Sequence, residues 1–146
     1  MINAIEELLG ERIMINKTYG SIVRSISLEV KVFNAYKDNG FYTATGIVDT
    51  GASDVCISKN IAEAIAVEGE GSIEMKTANG PSESSSCTIK LEMDDYTFNY
   101  MDAAILPNLN DDTVLIGLGL LNLGDTYIKT SSGKTEFCFD KTSQTF

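Results

Sequence analysis

The sequence is most constrained by the stretch Ile47-Val48-Asp49-Thr50-Gly51-Ala52-Ser53, in which a carboxylate directly follows two apolar residues. An acid at the end of a buried strand is costly unless neighbouring groups stabilise its charge or chemistry uses it. Gly51 lets the backbone turn tightly and brings its own N–H group close to the preceding carboxylate, and Thr50 adds a hydroxyl. The stretch is therefore either a polar turn that ends a strand or the centre of a site.

Composition narrows the class of protein. The 146 residues are 43% hydrophobic and 22% charged, which predicts one ordinary globular domain with one core. The net charge of −10 argues against a nucleic-acid partner, because phosphate binding needs a basic surface. The first residues lack a basic region and the longest apolar run is too short to span a bilayer. We therefore expect a soluble, cytoplasmic protein that does not engage membranes.

Histidine is absent from the chain. Its absence excludes Ser-His-Asp and Cys-His catalytic systems and every histidine-ligated zinc site. Acid–base work would fall to carboxylates, Lys, Tyr or Cys. Cys56, Cys87 and Cys138 are widely spaced and odd in number, which indicates free thiols in a reducing compartment that act as small apolar fillers. We expect neither a metal nor a cofactor.

The first half of the chain contains a helical pattern and then a hairpin. Apolar residues at helical spacing predict a short amphipathic helix over residues 2–12, within an N-terminal extension of residues 1–20 that precedes a domain of residues 21–146. From Ile26 to Val32 the apolar period is two, which predicts a strand. Asp38-Asn39-Gly40 then predicts a tight turn, and a second strand from Phe41 to Val48 ends at Asp49.

The remaining patterns are mostly those of strands. Ser58 is a candidate N-cap for a short helix. A second hairpin is predicted from Ile73 to Met93, with Asn79-Gly80-Pro81 at its tip. A further strand is predicted where Tyr96, Phe98 and Tyr100 alternate with polar residues, and another over residues 114–117. Residues 118–123 are predicted to form one or two helical turns. Residues 126–129 and 134–139 are predicted to pair as a last hairpin. The fold class is therefore mostly β, a small barrel-like fold with one or two short helices.

The order of these parts resembles the retroviral-type (retropepsin-like) aspartic proteases, and specifically their bacterial single-domain relatives. The resemblance runs from about Ser21 to Phe139. It rests on a strand that ends in Asp49-Thr50-Gly51-Ala52, a helix after it, a hairpin around Asn79-Gly80, the element Leu115-Ile116-Gly117 and a closing stretch that begins at Gly124. The resemblance implies a closed or partly open β-barrel with a flap hairpin.

The resemblance also implies an activity and a set of site residues. It implies an aspartic endopeptidase that cleaves a peptide or protein substrate, without a cofactor, as a homodimer, because the chain holds a single Asp-Thr-Gly and such enzymes need two. Asp49, Thr50 and Gly51 would be catalytic, and Leu115, Ile116 and Gly117 would support the site. The implied substrate-binding residues are Ala52, Ser53, Thr77, Ala78, Asn79 and Gly80.

Two departures from the family pattern leave alternatives open. Where many relatives carry a charged or polar residue that braces the helix, this chain has Leu118, Gly119 and Leu120, and Ser53 stands where viral members usually have Asp. One alternative is a catalytically inactive retropepsin-like domain that dimerises and binds peptides. The other is a β-domain without an active site.

Overall fold

The computed structural model describes residues 14–77, 80–94 and 96–141. In these residues the chain forms ten strands and two short helices, which group into two compact units, one of residues 14–24 and 121–141 and one of residues 25–120. The elements are β1 Met14–Thr18, β2 Ser27–Asn34, β3 Phe41–Val48, β4 Val55–Ser58, α1 Lys59–Ala64, β5 Gly71–Thr77, β6 Gly80–Met93, β7 Tyr96–Leu106, β8 Thr113–Ile116, α2 Leu118–Leu121, β9 Gly124–Lys129 and β10 Glu136–Lys141.

The larger unit is a closed barrel. Its strands follow the order β2-β3-β8-β4-β7-β6-β5, and an additional pairing of β2 with β6 closes six of them into a ring. Closure gives both edges of these strands hydrogen-bonding partners, so few strand edges are left exposed. The predicted fold class, a mostly β barrel with one or two short helices, is confirmed, and the described residues contain two.

The β2–β3 hairpin forms where the period-two pattern predicts it. Leu28, Val30 and Val32 of β2 are buried on one face, and Gly40 takes a positive φ of 91° in the turn, a conformation that favours glycine. β3 ends at Val48, so the next residue emerges at the end of a paired strand.

A β-bulge changes the predicted alternation in β7. Tyr96 and Phe98 are buried as alternating residues, but Tyr100 is 72% exposed. Ile89 pairs with Met101 and Leu91 with Phe98, so two residues of β7 face the single residue Lys90. The extra residue reverses the facing of the side chains that follow it, and Tyr100 points outward.

The second predicted hairpin and the helix cap are also present. β5 pairs along its whole length with residues 80–86 of β6, from Gly71 opposite Ser86 to Thr77 opposite Gly80. Ala78 and Asn79 lie outside the described residues. Ser58 is the N-cap of α1, because its hydroxyl accepts a hydrogen bond from Ile61 N at 3.1 Å.

The smaller unit is a three-stranded antiparallel sheet in the order β1-β10-β9. The predicted hairpin of β9 and β10 is confirmed, while β1 was not anticipated from the sequence. Ile15, Phe137 and Phe139 are buried in this unit. The helix predicted over residues 2–12 lies outside the described residues, and the boundary at residue 20 stays a prediction.

Gly117 lies in close contact with the backbone of residues 52–54. A Cβ atom at Gly117 would lie 2.2 Å from the carbonyl oxygen of Asp54 and 2.7 Å from that of Ala52. Directly after it, Leu118 N and Gly119 N donate hydrogen bonds to Ala52 O and Ser53 O, both at 2.9 Å. The absence of a side chain at Gly117 therefore lets the start of α2 hold the turn that follows Asp49.

One buried amide ties the β2–β3 hairpin to the end of α1. Asn34 is buried, and its Nδ2 donates to Ile65 O and Ala66 O, each at 3.2 Å. Its Oδ1 accepts from Tyr36 N at 2.9 Å and Lys37 N at 3.2 Å. A buried amide with both ends satisfied stabilises a fold, whereas its removal leaves several groups unpaired.

We expect Gly117→Ala to destabilise the protein by about 2 kcal/mol or more, because the added methyl group would overlap backbone carbonyl groups that cannot shift independently. Gly119→Ala is the matched control, since its Cβ would meet no atom nearer than 3.5 Å. Urea unfolding followed by far-UV circular dichroism measures both. Equal stability of the two variants would show that the turn relaxes freely.

We expect Asn34→Ala to lower the free energy of unfolding by about 2 kcal/mol, because two N–H groups and the carbonyl of Ala66 lose the partner described above, while Ile65 O keeps its bond from Asn39. Asn39→Ala is the control, because Asn39 is exposed and donates to the same Ile65 O at 3.0 Å; its loss should cost well under half as much. Urea unfolding measures the stability of both variants, and an Asn34→Ala variant as stable as wild type would contradict the assigned role.

Candidate active site

Asp49 directly follows β3, one strand of a parallel pair. β3 and β8 run in the same direction with Val48 opposite Ile116, and Asp49 N donates to Ile116 O at 3.0 Å. The pairing places Asp49 beside Gly117, so the structure brings together the predicted residues of the Asp49 turn and the predicted supporting element Leu115-Ile116-Gly117. The Asp49 side chain is half-buried at this end of the barrel strands.

The turn after β3 orients the Asp49 carboxylate. Gly51 N donates to Asp49 Oδ1 at 2.9 Å, and Ala52 N donates to Asp49 O at 3.1 Å. A Cβ atom at Gly51 would lie 3.2 Å from Asp49 Oδ1, so glycine gives the carboxylate room to approach the backbone. A half-buried carboxylate that is fixed through one oxygen can hold or accept a proton at the other.

The other residues of the turn divide into exposed and buried ones. Thr50, Gly51 and Ser53 are exposed, whereas Ala52 is buried. Ser53 Oγ donates to Asp54 Oδ2 at 2.9 Å. The backbone bonds from Leu118 N and Gly119 N to this turn use no side chain, so the turn is held without a polar residue after Gly117.

The hairpin of β5 and β6 carries the remaining predicted binding residues. Thr77 and Gly80 pair with each other at its end. Ala78 and Asn79, which the resemblance also implies as substrate-binding, lie outside the described residues. Within the described residues, β6 of this hairpin pairs with β7, which joins the hairpin to the rest of the barrel.

Cys56 lies close to the site but is an inert thiol. It is fully buried and its Sγ contacts Asp54 O at 3.5 Å. Burial first, and then the negative charges of Asp54 and Asp49, raise the pKa of Cys56 to about 12. A thiol that stays protonated at neutral pH is a filler and not a nucleophile, in agreement with the interpretation from the sequence.

A polar cluster at the start of β3 has no counterpart among the residues predicted from the sequence. The hydroxyl of Tyr42 donates a hydrogen bond to the carboxylate of Asp112, which raises the pKa of Tyr42. Asn60 Nδ2 donates to Tyr42 Oη at 3.2 Å. The cluster borders an open crevice of about 530 Å³ that Asp49 does not line. These residues are 18 or more positions apart, so no local motif joins them.

Two further findings concern metals and membranes. Within residues 14–77, 80–94 and 96–141, no three His, Cys, Asp or Glu side chains are grouped to hold a metal ion. None of the helices in the same residues has the length and apolar character needed to cross a bilayer.

Solved structures of three proteases align with this chain. A retropepsin-like aspartic protease from Rickettsia conorii aligns with a TM-score of 0.55 at 17% identity, covering 90% of this chain and 96% of the other. The EIAV protease in complex with the inhibitor HBY-793 aligns with a TM-score of 0.48 at 14% identity, covering 73% of this chain and 92% of the other. The simian foamy virus (mac) protease aligns with a TM-score of 0.46 at 13% identity, covering 66% of this chain and 92% of the other. At 17% identity the Rickettsia structure shows a shared fold.

Family membership comes from the sequence match. No curated protein matches the chain significantly. The family model described as "gag-polyprotein putative aspartyl protease" matches residues 37–123, which include β3, the Asp49 turn, both arms of the second hairpin and Gly117. The match covers more than half of the 146 residues, and the chain therefore belongs to this family of retropepsin-like aspartyl proteases.

Proposed function

We propose that the chain is an aspartic endopeptidase that acts as a homodimer and hydrolyses peptide bonds with a water held between two Asp49 carboxylates, one from each protomer. The observation that carries the proposal is the Asp49 turn itself. In a member of an aspartyl protease family, Gly51 N orients a half-buried carboxylate at a strand end, and the chain has one Asp-Thr-Gly.

A single carboxylate is half of such a site, which is the reason for the dimer. A two-fold axis beside Asp49 would bring it to its symmetry mate. Two carboxyl groups about 3 Å apart do not both ionise, so the pair holds one proton and titrates as a unit.

The chemistry follows from the shared proton. The ionised carboxylate takes a proton from the water as its oxygen attacks the peptide carbonyl carbon. The protonated carboxyl donates to the carbonyl oxygen as negative charge develops there, and a proton then passes to the leaving nitrogen. Gly51 N keeps the Asp49 carboxylate in position. Thr50 is exposed, and its hydroxyl would form a hydrogen bond to the other protomer beneath the two Asp49 carboxylates.

Substrate binding would use both the turn and the hairpin. Ala52 and Ser53 follow the catalytic triplet, and Thr77 and Gly80 pair at the end of the β5–β6 hairpin. An extended peptide between them would form strand-like backbone hydrogen bonds, with pockets reading alternate side chains. Closure of the hairpin over the peptide would exclude water from the reacting bond.

A non-catalytic, peptide-binding dimer is the second candidate, because Leu118, Gly119 and Leu120 stand where many relatives have a polar brace. The hydrogen bonds from Leu118 N and Gly119 N to Ala52 O and Ser53 O weigh against it. They fix the catalytic turn through the backbone, so an apolar sequence at this position is compatible with an ordered site.

We expect Asp49→Asn to lower cleavage of a peptide library by at least about a thousandfold, since an amide neither takes up the proton of the water nor shares one with its mate. Sedimentation should show the same dimer as wild type. Asp38→Asn makes the same charge change in the exposed β2–β3 turn and should cleave normally. Cleavage should be assayed at several pH values from acid to neutral. Undiminished cleavage by Asp49→Asn would refute the mechanism, whereas a wild-type dimer that cleaves nothing would favour the binding domain.

We expect Cys56 in the folded protein to resist iodoacetamide at pH 8, because its pKa of about 12 leaves about one thiol in ten thousand ionised. Mass spectrometry before and after denaturation measures the labelling. Cys56→Ala should retain cleavage within about threefold of wild type. Rapid labelling of Cys56 in the native protein, or loss of cleavage in a folded Cys56→Ala variant, would restore it as a candidate nucleophile.

A further inference from the structure

A pocket of about 220 Å³ lies in the larger unit, at the end of α1 and away from Asp49. Its lining includes Asn34, Tyr36, Lys37, Glu68, Glu70 and Thr88. In the β2–β3 hairpin, Ser27 pairs with Ile47 near Asp49, whereas Phe33 pairs with Phe41 at the other end. Asn34 follows Phe33, so the pocket lies at the end of the hairpin opposite the candidate active site.

Two walls of the pocket are fixed by one buried side chain. Asn34 Nδ2 donates to the carbonyl groups of Ile65 and Ala66 on the helix side, and its Oδ1 accepts from the N–H groups of Tyr36 and Lys37 on the hairpin side. The backbone on both sides is therefore held in place without a ligand. A preformed pocket loses little conformational freedom when it binds.

The pocket presents an oriented negative charge. Thr88 is buried, and its Oγ1 donates to Glu70 Oε2 at 2.9 Å. Glu70 N donates to Ser86 O at 2.7 Å, which fixes the backbone of the same residue. Glu68 adds a second carboxylate and Lys37 one positive charge, so the lining carries a net charge of −1.

An aromatic ring stands at the rim beside these carboxylates. Tyr36 is 65% exposed, and its ring pairs with that of Tyr100 at a centroid distance of 6.1 Å. Tyr100 is available because the bulge in β7 turns it outward. The face of a tyrosine ring attracts cations, and a neighbouring carboxylate accepts charge-assisted hydrogen bonds from them.

We propose that this pocket is a second binding site that takes the basic side chain, arginine or lysine, of a peptide or protein partner. The ring of Tyr36 contacts the cationic group and Glu70 accepts its hydrogen bonds. The net charge of −10 draws basic partners toward the molecule before the pocket selects the side chain. The site does not depend on whether Asp49 is catalytic.

The test is a titration of the ¹⁵N-labelled full chain with N-acetylarginine amide, followed by two-dimensional NMR. We expect saturable shifts concentrated at residues 36–37, 66–70 and 88, and the same residues to respond to N-acetyllysine amide. Glu70→Gln keeps an acceptor for Thr88 but removes the charge, and it should weaken binding about tenfold. Tyr36→Leu keeps an apolar side chain without the aromatic ring and should weaken it about threefold. The spectra themselves report that each variant is folded.

Two controls make the result decisive. N-acetylnorleucine amide has no charge and should not bind, and Glu63→Gln removes a carboxylate of α1 outside the pocket and should leave the affinity unchanged. Equal binding of the norleucine probe would show a nonspecific apolar crevice. Shifts that do not saturate, or affinities that Glu70→Gln leaves unchanged, would overturn the proposal without bearing on cleavage by the protein.

Discussion

The contact between Gly117 and the backbone of residues 52–54 is the constraint on which the candidate active site depends. Asp49 is placed by the parallel pairing of β3 with β8, and β8 leads directly into Gly117. Because no side chain separates Gly117 from Ala52 and Asp54, the next two N–H groups reach the carbonyl groups of the turn. One glycine thus connects the strand that supports the acid with the turn that orients it.

Much of the barrel could be predicted from the sequence because its signals are local. The alternation of Leu28, Val30 and Val32 reports a strand with one buried face, and Gly40 reports a turn with positive φ. The end of β3 at Val48 follows from the polar residue that comes next. For the same reason the position of Asp49 at a strand end could be inferred from the sequence alone, since it requires only the neighbouring residues.

What could not be predicted arises from contacts between distant segments. Tyr100 continues an alternating pattern, and only the register of β6 against β7 shows that a bulge turns it outward. Asn34 resembles any polar residue at a strand end, yet its Nδ2 donates to carbonyl groups 31 and 32 positions away. The hydrogen bond from Thr88 to Glu70 spans 18 positions. Periodicity and local motifs carry no information about such pairs. β1 was not predicted because its five residues come directly after a stretch with helical periodicity and are too few to show a period of their own.

The backbone nature of the brace around Asp49 also explains how an apolar sequence is accommodated after Gly117. A polar side chain at this position would have to find its partner through several rotatable bonds, whereas the N–H groups of Leu118 and Gly119 are placed by the start of α2 itself. The geometry then depends on glycine at 117, on strand pairing and on the placement of α2, in which Leu120 is fully buried. The fold itself is compatible with large changes of sequence, because the Rickettsia protease shares it over 90% of the chain at 17% identity.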